Sequence, residues 1–311
     1  MKNDSMRLGL IGYGIWGESI LRTLLALGVR PDIVETSEPR RKAAIAAGAR
    51  SVSADITALS AVDGIIVATP ATNHCRLVLR LLDQFSCPLF VEKPLTADAD
   101  EARLIVREGG TRVFVMHIWR YHPGIRALAE IARSGELGPV AGIRTVRTNW
   151  TSPRTDVDSL WNLAPHDISI ALAVLGFIPE PRFVLAERQV RRICGFIGVC
   201  GESPWLALEV SNRYRDKRRE VRLHCEGGVA VMTDPDAGFI EITREGDTRI
   251  PFDSRTEQRP VSRESALSLE LRCFIDYLGG GPAPPTDAAE GLVVVETLMR
   301  LQQMAKRERA S

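Results

Sequence analysis

The chain has 311 residues, long enough for two cored domains, and balances 40 Lys+Arg against 39 Asp+Glu. That balance excludes a bulk field for nucleic acid or an anionic membrane; no apolar run approaches the ~20 residues of a membrane span, and MKNDSMRLGLIG lacks the apolar core of a signal peptide. The six cysteines (75, 87, 194, 200, 225, 273) form no C-x-x-C pair and mostly sit in apolar runs, so they read as reduced thiols of a cytoplasmic protein, with no zinc or other metal site expected.

Leu8, Leu10 and Ile11 predict a short strand buried on both faces. Gly12, Gly14 and Gly17 follow in G-x-G-x-x-G spacing around Ile15 and Trp16, and Ile20, Leu21, Leu24, Leu25 and Leu27 then recur at helical period up to Gly28. Strand, glycines and helix together predict a dinucleotide site. One glycine makes the turn, one admits the pyrophosphate and one lets the helix pack, while the helix start offers N–H groups to phosphate.

A second strand, Asp32 to Glu35, ends in a carboxylate 18 positions beyond Gly17. A carboxylate there accepts from the adenosine ribose and repels a 2′-phosphate, which points to NAD; Ser37, Arg40 and Arg41 keep NADP open as the alternative. Further strands are expected at Val52, Gly64 to Ala68, Leu89 to Val91 and Val113 to Met116, separated by helical patterns as in a parallel sheet. Thr69, Pro70, Asn73 and His74 form the turn after the fourth strand, and Glu92 and Lys93 end the fifth. Ligands bind beyond such carboxyl ends, so all of these join the cofactor-binding set.

The texture changes at Trp119, which sets expected domains at 1–118 and 119–311. A helix runs through Ile125, Leu128 and Ile131, and strand-like runs follow at 140–150, 182–190, 193–200, 205–213, 219–225, 229–233 and 239–243. Several alternate, predicting a mainly antiparallel sheet. Leu160 to Gly176 reads as a helix between the first two runs, and helices at about 263–278 and 287–306 close the chain.

Lys93, at a strand end, is placed to hydrogen-bond a substrate oxygen beside a nicotinamide. His166 suits proton transfer near neutral pH and follows Asn162 by four residues, on one side of a helical turn. Asn162 reads equally as a site residue and as the N-cap of Leu163-Ala164-Pro165, with Pro165 in the first turn and Asp167 balancing the helix dipole.

Gly12 to Gly17, ATPATNH (68–74), EKP (92–94), RYHP (120–123) and the Asn162/His166 pair, in this order, resemble the glucose–fructose oxidoreductase/inositol dehydrogenase/rhizopine-catabolism (Gfo/Idh/MocA) family. GYGIWG, MHIWRYHP and DVDSLWNLAPHDIS are most similar to its sugar and nucleotide-sugar branch. The resemblance implies an α/β chain: a Rossmann domain followed by an α/β domain with an open, mainly antiparallel sheet often used for oligomerisation. It also implies catalysis by Lys93 and His166 with Asn162 nearby. Asn162 stands where many members carry aspartate, and Ala164 where many carry glycine. An asparagine stabilises an imidazolium less than a carboxylate does.

The leading expectation is therefore an NAD(P)-dependent sugar dehydrogenase or ketosugar reductase, with Lys93, Arg120, Tyr121, Trp150, Arg154, Trp161, Asn162 and His166 toward the substrate. The competing one is a nucleotide-binding sensor without turnover. Ile193, Phe196, Ile197, Val199, Trp205 and Leu206 are expected on an outer sheet face that joins copies into a homodimer or homotetramer.

Overall fold

A computed structural model describes residues 6–150, 158–189, 192–246 and 254–307. The chain divides into two compact units, residues 1–118 with 265–295, and 119–264 with 296–311. The sequence placed everything after residue 118 in the second domain. Instead a C-terminal stretch returns to the first, because its apolar face completes that core.

In the first unit β1 (Leu8–Ile11), β2 (Asp32–Val34), β3 (Ser51–Ser53), β4 (Gly64–Val67), β5 (Leu89–Glu92) and β6 (Val113–Met116) form a wholly parallel sheet in the order β3-β2-β1-β4-β5-β6. This is the order of a doubly wound dinucleotide-binding sheet, with its switch point between β1 and β4. β1, β4 and β6 are buried at every position, as strands covered on both faces must be. The connecting helices are α1 (Ile15–Ala26), α2 (Glu38–Ala46), α3 (His74–Gln84) and α4 (Ala99–Gly109).

Two later helices follow the second unit in sequence: α7 (Ala266–Leu278) and α8 (Ala288–Arg307), the latter passing into the second unit at Glu296. α7 packs on α1 and over the sheet, where Phe274 stacks on Phe90 at 4.8 Å between ring centroids. At the start of α8, Glu290 meets Nδ1 of buried His117, just past β6, at 2.9 Å.

The second unit contains α5 (Pro123–Ser134), β7 (Val140–Trp150), α6 (Ser159–Leu175), β8 (Pro181–Gln189), β9 (Arg192–Cys200), β10 (Trp205–Ser211), β11 (Arg213–Cys225), β12 (Gly228–Met232), β13 (Phe239–Glu245) and β14 (Ser254–Pro260). The eight strands form one sheet in the order β14-β13-β12-β11-β7-β10-β9-β8, antiparallel except for the β7–β10 pair. The sequence missed β14, which carries no apolar residue to signal a strand. It is a polar edge held by Arg259 and Arg244, whose hydrogen bonds to Glu136 keep that carboxyl down at about 2.

Strand alternation also corrects the expected outer face. Ile193, Phe196 and Leu206 turn inward and are buried, whereas Phe183, Leu185 and Ile197 are 54%, 51% and 38% exposed. Register aligns Leu185 with Ile197 and Phe183 with Val199, so the solvent-facing apolar patch lies on β8 and β9. No described helix is long and apolar enough to cross a membrane.

Candidate active site

At the end of β1 the chain turns through Gly12 at φ +97°, a conformation that costs a side chain dearly. A Cβ there would lie 2.7 Å from the Ala68 carbonyl oxygen, and one on Gly17 would lie 2.2 Å from that of Gly12. Around Gly14 nothing stands within 4 Å of a Cβ position, and no side chain caps α1. Two glycines thus close the turn while the third leaves room over bare helix N–H groups, which is the space and charge a pyrophosphate needs. Ile15 beside it is 90% exposed. Thr69 Oγ1 and Trp16 Nε1, both in the expected cofactor set, are buried without a hydrogen-bond partner among the described residues. The residues fit a dinucleotide.

Glu35 follows β2 and is buried. The Tyr13 N–H donates to its Oε2 at 2.8 Å and the Ser37 N–H to its Oε1 at 2.8 Å. Burial pushes this carboxyl up, but the Ser37 and Tyr13 donors and the Arg40 charge outweigh it and hold it below the usual range. Arg41 is tied to the Glu35 and Thr36 carbonyls at 2.9 and 2.6 Å, whereas Arg40 and Thr36 are exposed and Ser37 is half-buried. An ionised carboxylate therefore stands just past the end of β2.

His74, expected among the cofactor contacts, has no exposed surface. Its Nδ1 lies 3.1 and 3.2 Å from the Pro94 and Leu95 carbonyls and its Nε2 lies 2.8 Å from that of Thr69. Burial lowers its pKa while those carbonyls raise it, and the ring bridges the turns after β4 and β5. It shapes the site without facing it. Pro70 and Asn73 remain on the exposed side of the first turn, and Glu92 and Lys93 are half-buried between buried Val91 and Pro94.

In the second unit, α6 starts at Ser159, within one residue of the expected Leu160 and ahead of a cap at Asn162. Asp158 is its N-cap, accepting from the Trp161 N–H at 3.1 Å. Asn162 therefore lies inside the helix and does not cap it, and Pro165 falls in the second turn. Asp167 does not serve the helix dipole either. It is buried and bonds Arg147 of β7, also buried, at 2.8 Å. Burial raises the Asp167 carboxyl in spite of that guanidinium. Arg219, mostly buried alongside, is lowered to about 10 by burial and by the Arg147 charge.

The Arg147 guanidinium lies 4.4 Å from the centroid of Trp119, and this indole also meets His122 (5.2 Å, stacked) and His166 (6.5 Å, edge-on). His122 Nδ1 accepts from the Gly124 N–H at 3.1 Å, capping α5, and burial keeps the ring neutral. His166 is the only residue from Leu163 to Ile170 that is not fully buried. Trp119, Arg147 and Asp167 were not singled out from sequence as supports for His166. The available signal was an arginine at an inward position of β7, level with Ile143 and Thr145, which requires a buried carboxylate.

Of the expected substrate residues, Arg120, Asn162 and His166 are half-buried and Trp150 is 67% exposed, with Arg213 6.0 Å from its ring. Tyr121 and Trp161 are buried and pack the core, so their apolar bodies decide their place; Arg154 lies outside the described residues.

The parallel sheet, the glycine turn and the ionised Glu35 define an NAD(P)-binding oxidoreductase domain. Residues 6–117 match the family model described as "Oxidoreductase family, NAD-binding Rossmann fold". Over that stretch the chain is similar to the Gfo/Idh/MocA oxidoreductases. It is 29% identical to inositol 2-dehydrogenase 3 of Saccharopolyspora erythraea, covering 92% of this chain and 89% of that one. It is 27% identical to UDP-N-acetylglucosamine 3-dehydrogenase of Acidithiobacillus ferrooxidans, over 96% of both chains. The solved structure of that second enzyme shares the fold, at TM-score 0.84 and 22% identity in the structural match, over 97% of this chain and 98% of the other.

Proposed function

We propose that the protein interconverts a secondary alcohol and a ketone on a sugar, inositol or nucleotide sugar, with NAD preferred to NADP. One observation carries this reading. Lys93 and His166 are proton-handling side chains that reach the surface from otherwise buried segments, one at a strand end of the dinucleotide unit and one on α6. The named activities of the two full-length relatives support the substrate class.

The nicotinamide, when bound, supplies the hydride acceptor or donor. Lys93 holds the substrate oxygen and stabilises the charge that develops on it. His166 takes the hydroxyl proton in oxidation and returns it in reduction. Glu35 takes the ribose hydroxyl, and the N terminus of α1 takes the pyrophosphate. A screen of inositols, sugars, sugar phosphates and nucleotide sugars with both cofactors, read by nicotinamide absorbance, tests the reading.

A second reading, a sensor that binds the dinucleotide without turnover, is favoured by Asn162 and by the engagement of Asp167 with Arg147. Asn162→Asp separates the two. A carboxylate facing His166 from the preceding turn favours the imidazolium, so the variant of an enzyme keeps or gains turnover. If neither the parent nor Asn162→Asp turns over any compound while NAD still binds, the sensor reading replaces the enzyme.

The apolar patch of Phe183, Leu185 and Ile197 is proposed to join copies of the chain, at least as a dimer, and the six free thiols suit a cytoplasmic location.

A further inference from the structure

In the sheet of the second unit, Arg219 of β11 stands directly opposite Arg147 of β7, on the face that α6 covers. Opposed residues have Cβ atoms about 4.5–5.5 Å apart, and like charges at that range repel each other. One carboxylate serves the two guanidinium groups. Asp167 gives its Oδ2 to Arg147 at 2.8 Å, and its Oδ1 has no hydrogen-bond donor among the described residues. Arg219 is the surplus cation of the cluster.

Backbone groups hold Arg219 in place. Its Nη1 donates to the Thr148 and Arg218 carbonyls at 2.8 and 2.6 Å, whereas its Nε and Nη2 donate to none of the described residues. Those two nitrogens form one edge of the guanidinium, a fork that matches two oxygens of a carboxylate or phosphate. The first unit shows the same edge in use. There Arg50 grips Asp32 through Nε at 3.0 Å and Nη2 at 2.7 Å. Burial and the Arg147 charge lower Arg219 only to about 10, so the group stays charged at neutral pH. Arg215, Lys217 and Arg218 precede it on the strand, all exposed, with Asp216 the one acid among them. Their field draws anions toward that end of β11.

One indole connects this cluster to the proton-handling histidine. Arg147 lies over Trp119 at 4.4 Å, His166 meets the edge of the same ring at 6.5 Å, and Asp167 follows His166 on α6. Asn149, two residues past Arg147 on the same side of β7, has a buried Oδ1 without a partner among the described residues, an acceptor that suits a sugar hydroxyl.

We propose that Arg219 binds an anionic substituent of the substrate, so that the compound placed at His166 is a sugar carrying a carboxylate or phosphate group and not a neutral polyol. The proposal rests on the reading of His166 given above. Arg219 and His166 need not touch, because the sugar ring separates the reacting hydroxyl from the charged group.

The test uses the full chain in complex with NADH, in which an alcohol is not oxidised, and matched probes. Glucose is compared with glucuronate and with glucose 6-phosphate, and N-acetylglucosamine with UDP-N-acetylglucosamine. By calorimetry at least one anionic probe is expected to bind the parent about tenfold or more tightly than its neutral counterpart, and which one does so separates carboxylate, monophosphate and nucleoside diphosphate. Arg219→Gln is expected to weaken that probe by about tenfold to hundredfold and to flatten its salt dependence. In turnover with NAD the loss falls on KM more than on kcat. Arg219→Lys, which keeps the charge but not the fork, falls between the two. Should Arg219→Gln fail to bind NADH, Arg219→Lys carries the comparison. The proposal is overturned if no anionic probe binds better than its neutral counterpart, or if the variants keep the preference of the parent. If anionic probes bind through Arg219 and none is turned over with NAD, the enzymatic reading fails and the anion site stands. If neutral sugars are turned over and bind as well as the anionic ones, the enzymatic reading stands and Arg219 loses its role.

Discussion

The strand end that carries Lys93 and the helix that carries His166 are supported by different kinds of bond. In the first unit the supports are largely backbone groups. His74 clips three carbonyls, Glu35 takes two N–H groups, and Gly12 and Gly17 make room for the carbonyls of Ala68 and Gly12. In the second unit the supports are side chains drawn from three places: Trp119 before α5, Arg147 on β7 and Asp167 on α6. A backbone support depends on chain direction and tolerates changes around it. A buried ion pair with an aromatic partner depends on each member, so the His166 side is the more fragile half.

The largest expected effect tests whether the two halves share one reaction. Lys93→Ala and His166→Ala should each lower kcat by roughly 10²–10⁴, as expected for loss of a positioned proton-transfer group, with NAD affinity changing far less. Steady-state kinetics with cofactor titration checks this, and an unaffected His166→Ala removes the histidine from the mechanism.

Arg147→Met comes next and addresses the fragility itself. It leaves Asp167 buried and unpaired, and breaking such a pair costs about 3–5 kcal/mol, measurable by urea unfolding. The double variant Arg147→Met, Asp167→Leu should recover much of that loss. No recovery would show that the pair is not the support described.

A smaller effect is expected in the first unit. Glu35→Ala removes a charged acceptor for the ribose, worth about 1.5–3 kcal/mol as a hydrogen bond, and should narrow the preference for NAD over NADP. A parent that prefers NADP in titration would transfer that role to Ser37 and Arg40. Smallest for catalysis is the outer face of β8 and β9. Leu185→Lys with Ile197→Lys should shift light scattering toward monomer while the dinucleotide site is unchanged, and a monomeric parent at micromolar concentration would remove the interface.

The candidate site was legible to unequal degrees for the same reason. GYGIWG, Glu35, Thr69 and Lys93 could be placed at turns and strand ends from sequence because each belongs to a short segment whose backbone geometry its own residues dictate. Of the two roles open to Asn162, the cap falls away because Asp158, four residues earlier, competes for it and takes it. His74, Tyr121 and Trp161 were assigned to ligands, yet all three are buried, and a polar atom in a motif does not reveal which way its ring points.

By itself the sequence determined the parallel sheet, the dinucleotide turn and the periodic helices, since these follow from glycine sterics and from apolar spacing along one segment. Only the tertiary structure decided the return of α7 to the first unit, the polar edge strand β14 and the inward turn of Phe196 and Leu206. It alone brought Arg147 to Asp167. Burial is a property of what packs against a residue, and the partner of Arg147 lies 20 positions away in the chain.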